Sequence, residues 1–530
     1  MTEFSRISRR GTFLATSALA ALLASACTGA LNETTLRAVP HADLVSIDPI
    51  ETTAYITRSH GYLVYDTLFA YDQAFQPQPQ MVDTWSSSTD GLTWTFRLRD
   101  GLEWHDGKPV TAADVVASLT RWGKRDGLGQ TLFARVASLT ADDAQSLTMV
   151  LSTPYPDVLD ALAKMSSNVP FIMPAAVAAT DPFTEIADPT GSGPFMLDTA
   201  ATKPGERVVY VRNPDYVPRA EPTSLAAGAK VAKVDRIEWL HYPNQEAAVD
   251  ALLKGEVDYL ESPSTRLAAK LKDQPGVTVA FTDPLGNVGM AVFNHKVPPF
   301  DQASVRRAVL MAIDQEAYMT AALGDPVFWR TCYSIYPCDT EYATEAGSEI
   351  MQTASLDAAR KALKRSSYEG TPVVILKPVD NPVLAAFTDV TAERLAAIGM
   401  TVEVEEMTWA ELIDRRDRKY PDGDTRWSMF HTWWIAADLM DPSRVAFSGQ
   451  PATGWIGWPL SPEVETLRNS FASSTDAAER QAIAAKIQEQ IYKNATFGIL
   501  GQFYEPIAFR NTVTGLQSPI QMYYNLGLAD

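Results

Sequence analysis

Cysteine is scarce in this chain of 530 residues, which contains only Cys27, Cys332 and Cys338. A chain with so few cysteines is not a disulfide-rich scaffold, and it has no Cys-x-x-Cys redox motif. Histidine is nearly as rare, with six residues that are mostly scattered. Because metal enzymes use clustered histidine, cysteine or carboxylate ligands, we expect neither a metal site nor a cofactor.

The familiar motifs of catalysis are also missing. The sequence has no Gly-x-Ser-x-Gly elbow, no His-Glu-x-x-His pair and no phosphate-binding loop. Acidic residues are abundant, with 64 Asp and Glu, but which of them come together in space cannot be read from their order. The sequence therefore gives no positive sign of an enzyme.

Positive charge is in deficit. With 45 Lys and Arg against 64 Asp and Glu, the formal net charge is −19. A nucleic-acid-binding protein needs a basic surface for phosphates, so that class is excluded. The hydrophobic fraction of 46% and the charged fraction of 21% are those of a globular protein, and the length predicts two or three domains.

The N-terminus has the features of an export signal. Arg6, Arg9 and Arg10 precede an apolar, alanine-rich run over 13–26, which is too short to span a bilayer. The segment around Arg9 and Arg10 resembles a twin-arginine signal, except that Phe13 stands one place later than usual. We interpret residues 1–26 as a signal peptide, by the twin-arginine or the general route, and expect a periplasmic protein.

Two ways of processing this segment remain open. Ala24-x-Ala26 fits an ordinary cleavage site, whereas residues 23–27 resemble a lipoprotein box ending at Cys27. Cys332 and Cys338 are close enough in sequence to pair in an oxidising compartment, and we predict a disulfide between them. Cys27 is then left over, and lipid attachment at that residue, which would anchor the protein to the membrane, would account for it.

The most informative stretch is 427–442, which holds three tryptophans and two aspartates. Residues 429–435 are mostly apolar and aromatic and predict a buried strand. Asp438 and Asp441 follow where that strand would end, and open α/β sheets bind ligands beyond the carboxyl ends of their strands. The stretch indicates a pocket with aromatic walls and fixed negative charge. The alternative is a core strand followed by an Asp-Pro turn.

Helix boundaries can be predicted at several places. Thr111 and Asp114 have the spacing of an N-cap with an acid three residues on, and Gly255 should end a helix over 246–254. Asp301 is predicted to cap the helix that carries Val305. The strands expected on either side of helix 246–254 indicate an α/β fold.

Five segments resemble one protein family. They are 99–115, 191–195, 213–216, 293–309 and the aspartate positions 438 and 441. In this order they are similar to the extracellular solute-binding proteins of peptide-type ABC importers, the dipeptide- and oligopeptide-binding proteins of solute-binding family 5. The segments span nearly the whole mature chain, and Trp104 and His105 within the first of them are expected to be structural.

The resemblance implies an α/β protein with two lobes, a hinge and an extra inserted domain, the periplasmic-binding-protein fold of cluster C type. It assigns 36–75, 189–276 and 502–530 to lobe I, 76–188 to the inserted domain and 277–501 to lobe II. We expect a monomer that captures a di- or oligopeptide and delivers it to a membrane ABC permease.

The resemblance also implies where the ligand binds. Asp438 corresponds to the family's partner of the peptide amino terminus, although Trp434 stands four residues before it where the family has three. The predicted ligand-binding residues are Thr53, Tyr55, Trp433, Trp434, Asp438 and Trp455.

Two other functions remain open. Within the family the ligand could be a metal chelate, opine, haem or sugar, and His431 and Arg444 are the hints of a chelate. Outside the family, the chain could be an exported hydrolase.

Overall fold

The computed structural model describes residues 34–281, 283–417, 427–451, 455–517 and 522–529. The predicted signal segment and Cys27 lie outside the described residues. The strands of the described residues are, in chain order, β1 (Thr35–Val39), β2 (Asp66–Thr67), β3 (Phe69–Tyr71), β4 (Pro77–Pro79), β5 (Val82–Ser87), β6 (Thr93–Leu98), β7 (Val136–Ala141), β8 (Ser146–Leu151), β9 (Phe171–Ile172), β10 (Phe195–Leu197), β11 (Arg207–Arg212), β12 (Arg236–Leu240), β13 (Tyr259–Leu260), β14 (Val277–Ala280), β15 (Asn287–Phe293), β16 (Trp329–Arg330), β17 (Val373–Pro378), β18 (Val402–Met407), β19 (Met429–Ile435), β20 (Phe497–Phe503), β21 (Ile507–Arg510), β22 (Val513–Thr514) and β23 (Gly527–Leu528).

The α-helices of the same residues are α1 (Tyr55–Val64), α2 (Ala112–Arg125), α3 (Gly127–Phe133), α4 (Val158–Leu162), α5 (Ala175–Ala178), α6 (Gln245–Lys254), α7 (Thr265–Leu271), α8 (Ala303–Leu310), α9 (Gln315–Leu323), α10 (Glu349–Gln352), α11 (Leu356–Lys364), α12 (Pro382–Ile398), α13 (Trp409–Asp417), α14 (Pro462–Ser473) and α15 (Ala477–Asn494).

Two mixed sheets form the framework. The first has the order β10-β11-β12-β1-β13-β21-β14, and β1 pairs in parallel with both β12 and β13. The second has the order β16-β20-β15-β19-β17-β18, and β17 pairs in parallel with both β18 and β19. The predicted α/β class is confirmed by this combination of helices with mixed sheets.

The chain passes between the two sheets twice. It leaves the first sheet after β14 and enters the second at β15, and it returns from β20 to β21. Two such neighbouring connections have the arrangement of a hinge. The strand pairing places residues 277–280 in the first sheet and 502–503 in the second.

A third sheet, with the antiparallel order β5-β6-β8-β7, lies wholly within residues 76–188, the range predicted for the inserted domain. Its residues share one apolar core with the first sheet, in which Phe96 and Trp122 are buried together with Leu36. The second sheet has its own core, which includes Met429 and Phe430. The division of the chain into domains stays a prediction.

The predicted helix caps have two outcomes. Thr111 and Asp114 form the predicted capping box at the start of α2, and Gly255 ends α6 with a φ of 76°. The prediction that Asp301 caps a helix is wrong, because the N-cap is Gln302. The Asp301 backbone N–H instead donates to the Val297 carbonyl, so the chain is still turning there and the helix starts later.

The predicted disulfide between Cys332 and Cys338 is confirmed, with Cα atoms 6.0 Å apart. The bridge closes a loop with a sequence separation of 6 residues. In the chain-entropy model a loop this short stabilises the fold by roughly 2 kcal/mol. It fixes the loop that leads away from β16, at the edge of the second sheet.

No helix in the described part of the chain combines the length and the apolar character that crossing a membrane would need.

Candidate functional site

Asp438 lies immediately beyond β19, the strand that the aromatic run predicted. β19 covers Met429–Ile435 and runs between β15 and β17 in the second sheet. A short 3₁₀ helix, Ala436–Leu439, follows it and carries Asp438, which is only 4% exposed. The acid therefore stands at the carboxyl end of an interior strand, where open α/β sheets place ligands.

Three distant parts of the chain meet at the Asp438 carboxylate. The Tyr55 hydroxyl donates to Oδ2 over 3.0 Å, and the Ser166 hydroxyl donates to the same oxygen over 3.1 Å. The Tyr55 hydroxyl also accepts a hydrogen bond of 3.1 Å from the Ile435 backbone N–H. Tyr55 begins α1 and Ser166 follows α4, so these bonds join both predicted domains of the N-terminal half to the second sheet.

Burial raises the pKa of Asp438 above the ordinary value for aspartate, and the positive charges of Lys164, Arg58 and Arg444 oppose that rise. Arg58 is itself buried, donates to the Ser166 hydroxyl over 2.8 Å, and lies 4.7 Å from the centre of the Tyr55 ring. The site is thus a buried acid surrounded by cations, in which charge is costly unless it is paired.

A cavity of about 10 Å³ adjoins Asp438, which is room for about one water molecule. It lies between the segments that carry Lys164 and Trp434, so the cleft is closed in this structure. The lining residues are Asp126, Leu128, Lys164, Ser167, Trp434, Asp438, Arg444 and Val445.

The three predicted tryptophans have different positions. Successive strand residues point to opposite faces, and Trp434 lines the cavity whereas Trp433 packs against Phe503 with ring centres 5.9 Å apart. Trp455 contacts Trp434 at 4.9 Å between ring centres, so it supports the cavity wall from behind. Thr53 is half-buried two residues before Tyr55 and is not among the lining residues described for this cavity.

Asp441 and His431 have structural surroundings. Asp441 accepts hydrogen bonds from Ser443, through both its backbone N–H and its hydroxyl, and from the Arg444 Nε over 2.9 Å. It therefore holds the turn and fixes Arg444. His431 is fully buried between the hydroxyls of Thr388 and Thr391, and burial lowers its pKa to about 3.

Lys164 and Ser166, which were not predicted from the sequence, approach Asp438 from the loop between α4 and β9. Lys164 donates to Asp126 and to the Ser167 carbonyl, each over 2.5 Å. Ser167 and Asn168 have φ angles of 28° and 43°, in the left-handed region, and such strained backbone clusters at ligand sites. The polar run Ser-Ser-Asn between apolar neighbours was the available signal.

The fold and this closed cleft define a class: a binding protein whose two sheets, joined by two chain crossings, enclose a charged site at their junction. A comparison with models of known families identifies the family. The chain belongs to the bacterial extracellular solute-binding proteins, family 5 Middle, whose model matches residues 76–454.

Individual proteins are also similar to this chain over most of its length. A probable peptide ABC transporter periplasmic-binding protein of Sinorhizobium fredii is 33% identical over 482 residues, which cover 89% of this chain and 90% of that protein. Among solved structures, a periplasmic binding protein of Helicobacter pylori in complex with the peptide STSA has a TM-score of 0.79 and 21% identity, covering 94% of this chain and 99% of that one. A binding protein from A. tumefaciens R10 in complex with agropinic acid has a TM-score of 0.77 and 20% identity, with coverage of 94% and 99%.

Proposed function

We propose that this protein is the substrate-binding component of a peptide-type ABC importer. It captures a small peptide in the periplasm and presents it to a membrane permease. The observation that carries the proposal is the buried Asp438 carboxylate at the point where three regions of the chain close together. The relative from Sinorhizobium fredii, whose name describes a probable peptide-transporter binding protein, supports the same assignment.

The geometry suits capture of an ammonium group by closure of the cleft. Both hydroxyl donors, Tyr55 and Ser166, bind Oδ2, and Oδ1 of Asp438 receives no hydrogen bond from the described residues. A peptide ammonium at Oδ1 would pair the buried charge, which is costly to leave alone. Closure around the ligand would then convert binding into a shape that the permease recognises.

The pH dependence of binding follows from the raised pKa of Asp438. An ammonium ligand binds the ionised carboxylate, so the pKa of Asp438 is lower in the complex than in the free protein. Affinity should therefore be level above the free-protein pKa and fall by up to about tenfold per pH unit as the pH decreases through it. Because burial raises that pKa, the fall begins at a higher pH than for an ordinary aspartate.

Calorimetric titration of a peptide ligand between about pH 7 and about pH 4 measures this effect. The Asp438→Asn protein is the control. Its affinity should not change with pH over the pH range in which Asp438 titrates in the wild-type protein. An identical slope in both proteins would assign the pH dependence to another group.

The function itself is tested by incubating the purified protein with a panel of di- and oligopeptides and following both binding and product formation. We expect saturable binding, a raised melting temperature and no turnover, as for a protein that is not an enzyme. Release of cleaved peptide would favour an exported hydrolase. Binding of agropinic acid in preference to every peptide would indicate the ligand of the A. tumefaciens neighbour instead of a peptide.

Export and anchoring are part of the proposal. We infer that residues 1–26 direct the chain to the periplasm, where it acts as a monomer. Changing Arg9 and Arg10 to lysine keeps the charge but removes the arginine pair that the twin-arginine receptor reads. We expect this change to leave folded precursor in the cytoplasm, as cell fractionation would measure, and unchanged export would assign the general route.

Lipid attachment is tested in the same cells by incorporation of labelled palmitate. Incorporation that disappears in the Cys27→Ala protein would establish a lipoprotein. A wild-type protein without label would be processed at the ordinary site after Ala26.

A further inference from the structure

Some polar atoms at the cavity beside Asp438 make no hydrogen bond to any residue that the structure describes. Trp434 lines the cavity, and its buried indole Nε1 has no hydrogen-bond acceptor among the described residues. Arg444 also lines it and uses Nε for Asp441, whereas its two terminal amino groups donate no hydrogen bond to a described residue. A buried donor without an acceptor, such as the Trp434 indole N–H, is rare in native proteins and calls for an explanation.

The other cation of the wall is already occupied. Lys164 is paired with Asp126 over 2.5 Å, and both side chains are at most 5% exposed. These two charges neutralise each other. Arg444 is paired with Asp441 through Nε alone. Among the charged residues that line the cavity, Asp438 keeps Oδ1 and Arg444 keeps its terminal amino groups free of hydrogen bonds to the described residues. The same wall of the cavity thus has an acceptor for a cation, Asp438 Oδ1, and donors for an anion, the Arg444 amino groups.

The groups concerned come from one short segment, 434–444, which joins the end of β19 to the turn at Asp441. Lys164 and Asp126 belong to a different part of the chain. Opening of the cleft by a hinge motion would therefore keep Trp434, Asp438 and Arg444 in their relative positions and would move the opposite wall away. The cavity can widen without dispersing the unpaired donors and acceptor.

An ammonium group alone would satisfy only part of this wall. It would pair with Asp438 but leave the buried indole N–H without an acceptor, which is unfavourable, and the guanidinium amino groups without an anion. A group that carries an ammonium and a carboxylate would satisfy all of them. Because Trp434, Asp438 and Arg444 all line the same cavity, the two charges must lie close together on the ligand.

We propose that the site recognises the zwitterionic head of an amino acid whose carboxylate is free. The ammonium binds Asp438 Oδ1, and the carboxylate accepts from the Arg444 amino groups and the Trp434 Nε1. A peptide linked through its side-chain carboxyl, such as a γ-glutamyl peptide, has such a head, whereas an ordinary α-linked peptide has a neutral amide on the carbon beside its ammonium. The inference rests on the proposed function and refines its ligand class.

Isomeric dipeptides provide a matched test. γ-Glutamyl and α-glutamyl dipeptides with glycine, alanine or leucine as second residue have the same composition and charge, and differ in whether a carboxylate shares the carbon that bears the ammonium. Calorimetric titration of the wild-type protein should show the γ-isomer of at least one pair binding about tenfold or more tightly than its α-isomer.

Variants assign the preference to the named groups. Trp434→Phe keeps a ring but removes the N–H, and Arg444→Lys keeps the charge but removes the fork of amino groups. Each should reduce the ratio of γ to α affinity by about threefold or more with little change in melting temperature. Trp433→Phe, on the opposite face of the same strand, is the control and should leave the ratio unchanged.

The possible results distinguish a failure of this inference from a failure of the proposed function. Equal binding of the isomers, or tighter binding of the α-isomers, overturns this inference and leaves the proposed function intact. A γ preference that persists in both the Trp434 and the Arg444 variants also overturns it. Binding of no dipeptide at millimolar concentration, in a protein that unfolds cooperatively, contradicts the inference and the proposed function together.

Discussion

Replacing Asp438 by asparagine should weaken peptide binding by at least about tenfold while the melting temperature of the free protein hardly changes. The substitution keeps the shape of the side chain and removes its charge. Loss of one partner from a buried, hydrogen-bonded charge pair costs about 2–5 kcal/mol, or roughly 30-fold to several thousand-fold in affinity. Since burial already raises the pKa of Asp438, a neutral side chain there costs the free protein little. Calorimetry and thermal unfolding measure the two effects.

Asp441→Asn is the matched control, because Asp441 lies three residues further along the same segment. Its carboxylate holds Ser443 and the Arg444 Nε, and an asparagine oxygen can still accept from Arg444. We expect a lower melting temperature and little loss of affinity. If this variant alone loses the ligand, the ammonium partner is Asp441 and the assignment of Asp438 is wrong.

Replacing Arg121 by methionine should lower the free energy of unfolding by about 3–5 kcal/mol, because it leaves Asp48 as an unpaired buried charge. Arg121, on α2, binds both carboxylate oxygens of Asp48 over 2.6 and 3.0 Å, and both side chains are at most 2% exposed. Arg121 also donates to the carbonyls of Thr180, Asp181 and Thr184. Denaturant unfolding followed by circular dichroism gives the change.

The control for the Arg121→Met experiment is Arg266→Met, which removes an ion pair with Glu246 at the surface. Arg266 and Glu246 are both more than half exposed, so solvent screens their attraction. Its denaturant midpoint should equal that of the wild type. Equal midpoints for all three proteins would mean that the buried pair contributes nothing to stability.

Parts of the fold could be predicted because their signals are local. The aromatic run gave the bounds of β19 as Met429–Ile435, since an apolar segment of that length between polar stretches suits an interior strand. The spacing of Thr111 and Asp114 identified the start of α2 for the same reason. Asp301 failed as a cap because the preceding turn, which no local pattern specifies, delays the start of α8 to Ala303.

The residues around Asp438 were predicted only in part. Asp438 and Trp434 lie in one segment, so a pattern could bring them together, and Tyr55 was named through the family resemblance. Ser166 reaches the same carboxylate from 272 residues away in sequence, and such a contact depends on how the sheets pack. The different roles of Trp433 and Trp434 required the register of β19, which its pairing with β15 and β17 defines.

Native mass spectrometry of the protein purified from the periplasm without denaturation tests the central claim most directly. We predict that the wild-type protein carries one small dipolar ligand, released on denaturation and identifiable as a peptide. The Asp438→Asn protein, purified in the same way, should carry much less of it. A wild-type protein that stays empty after incubation with peptides, or equal ligand in both proteins, would contradict the account.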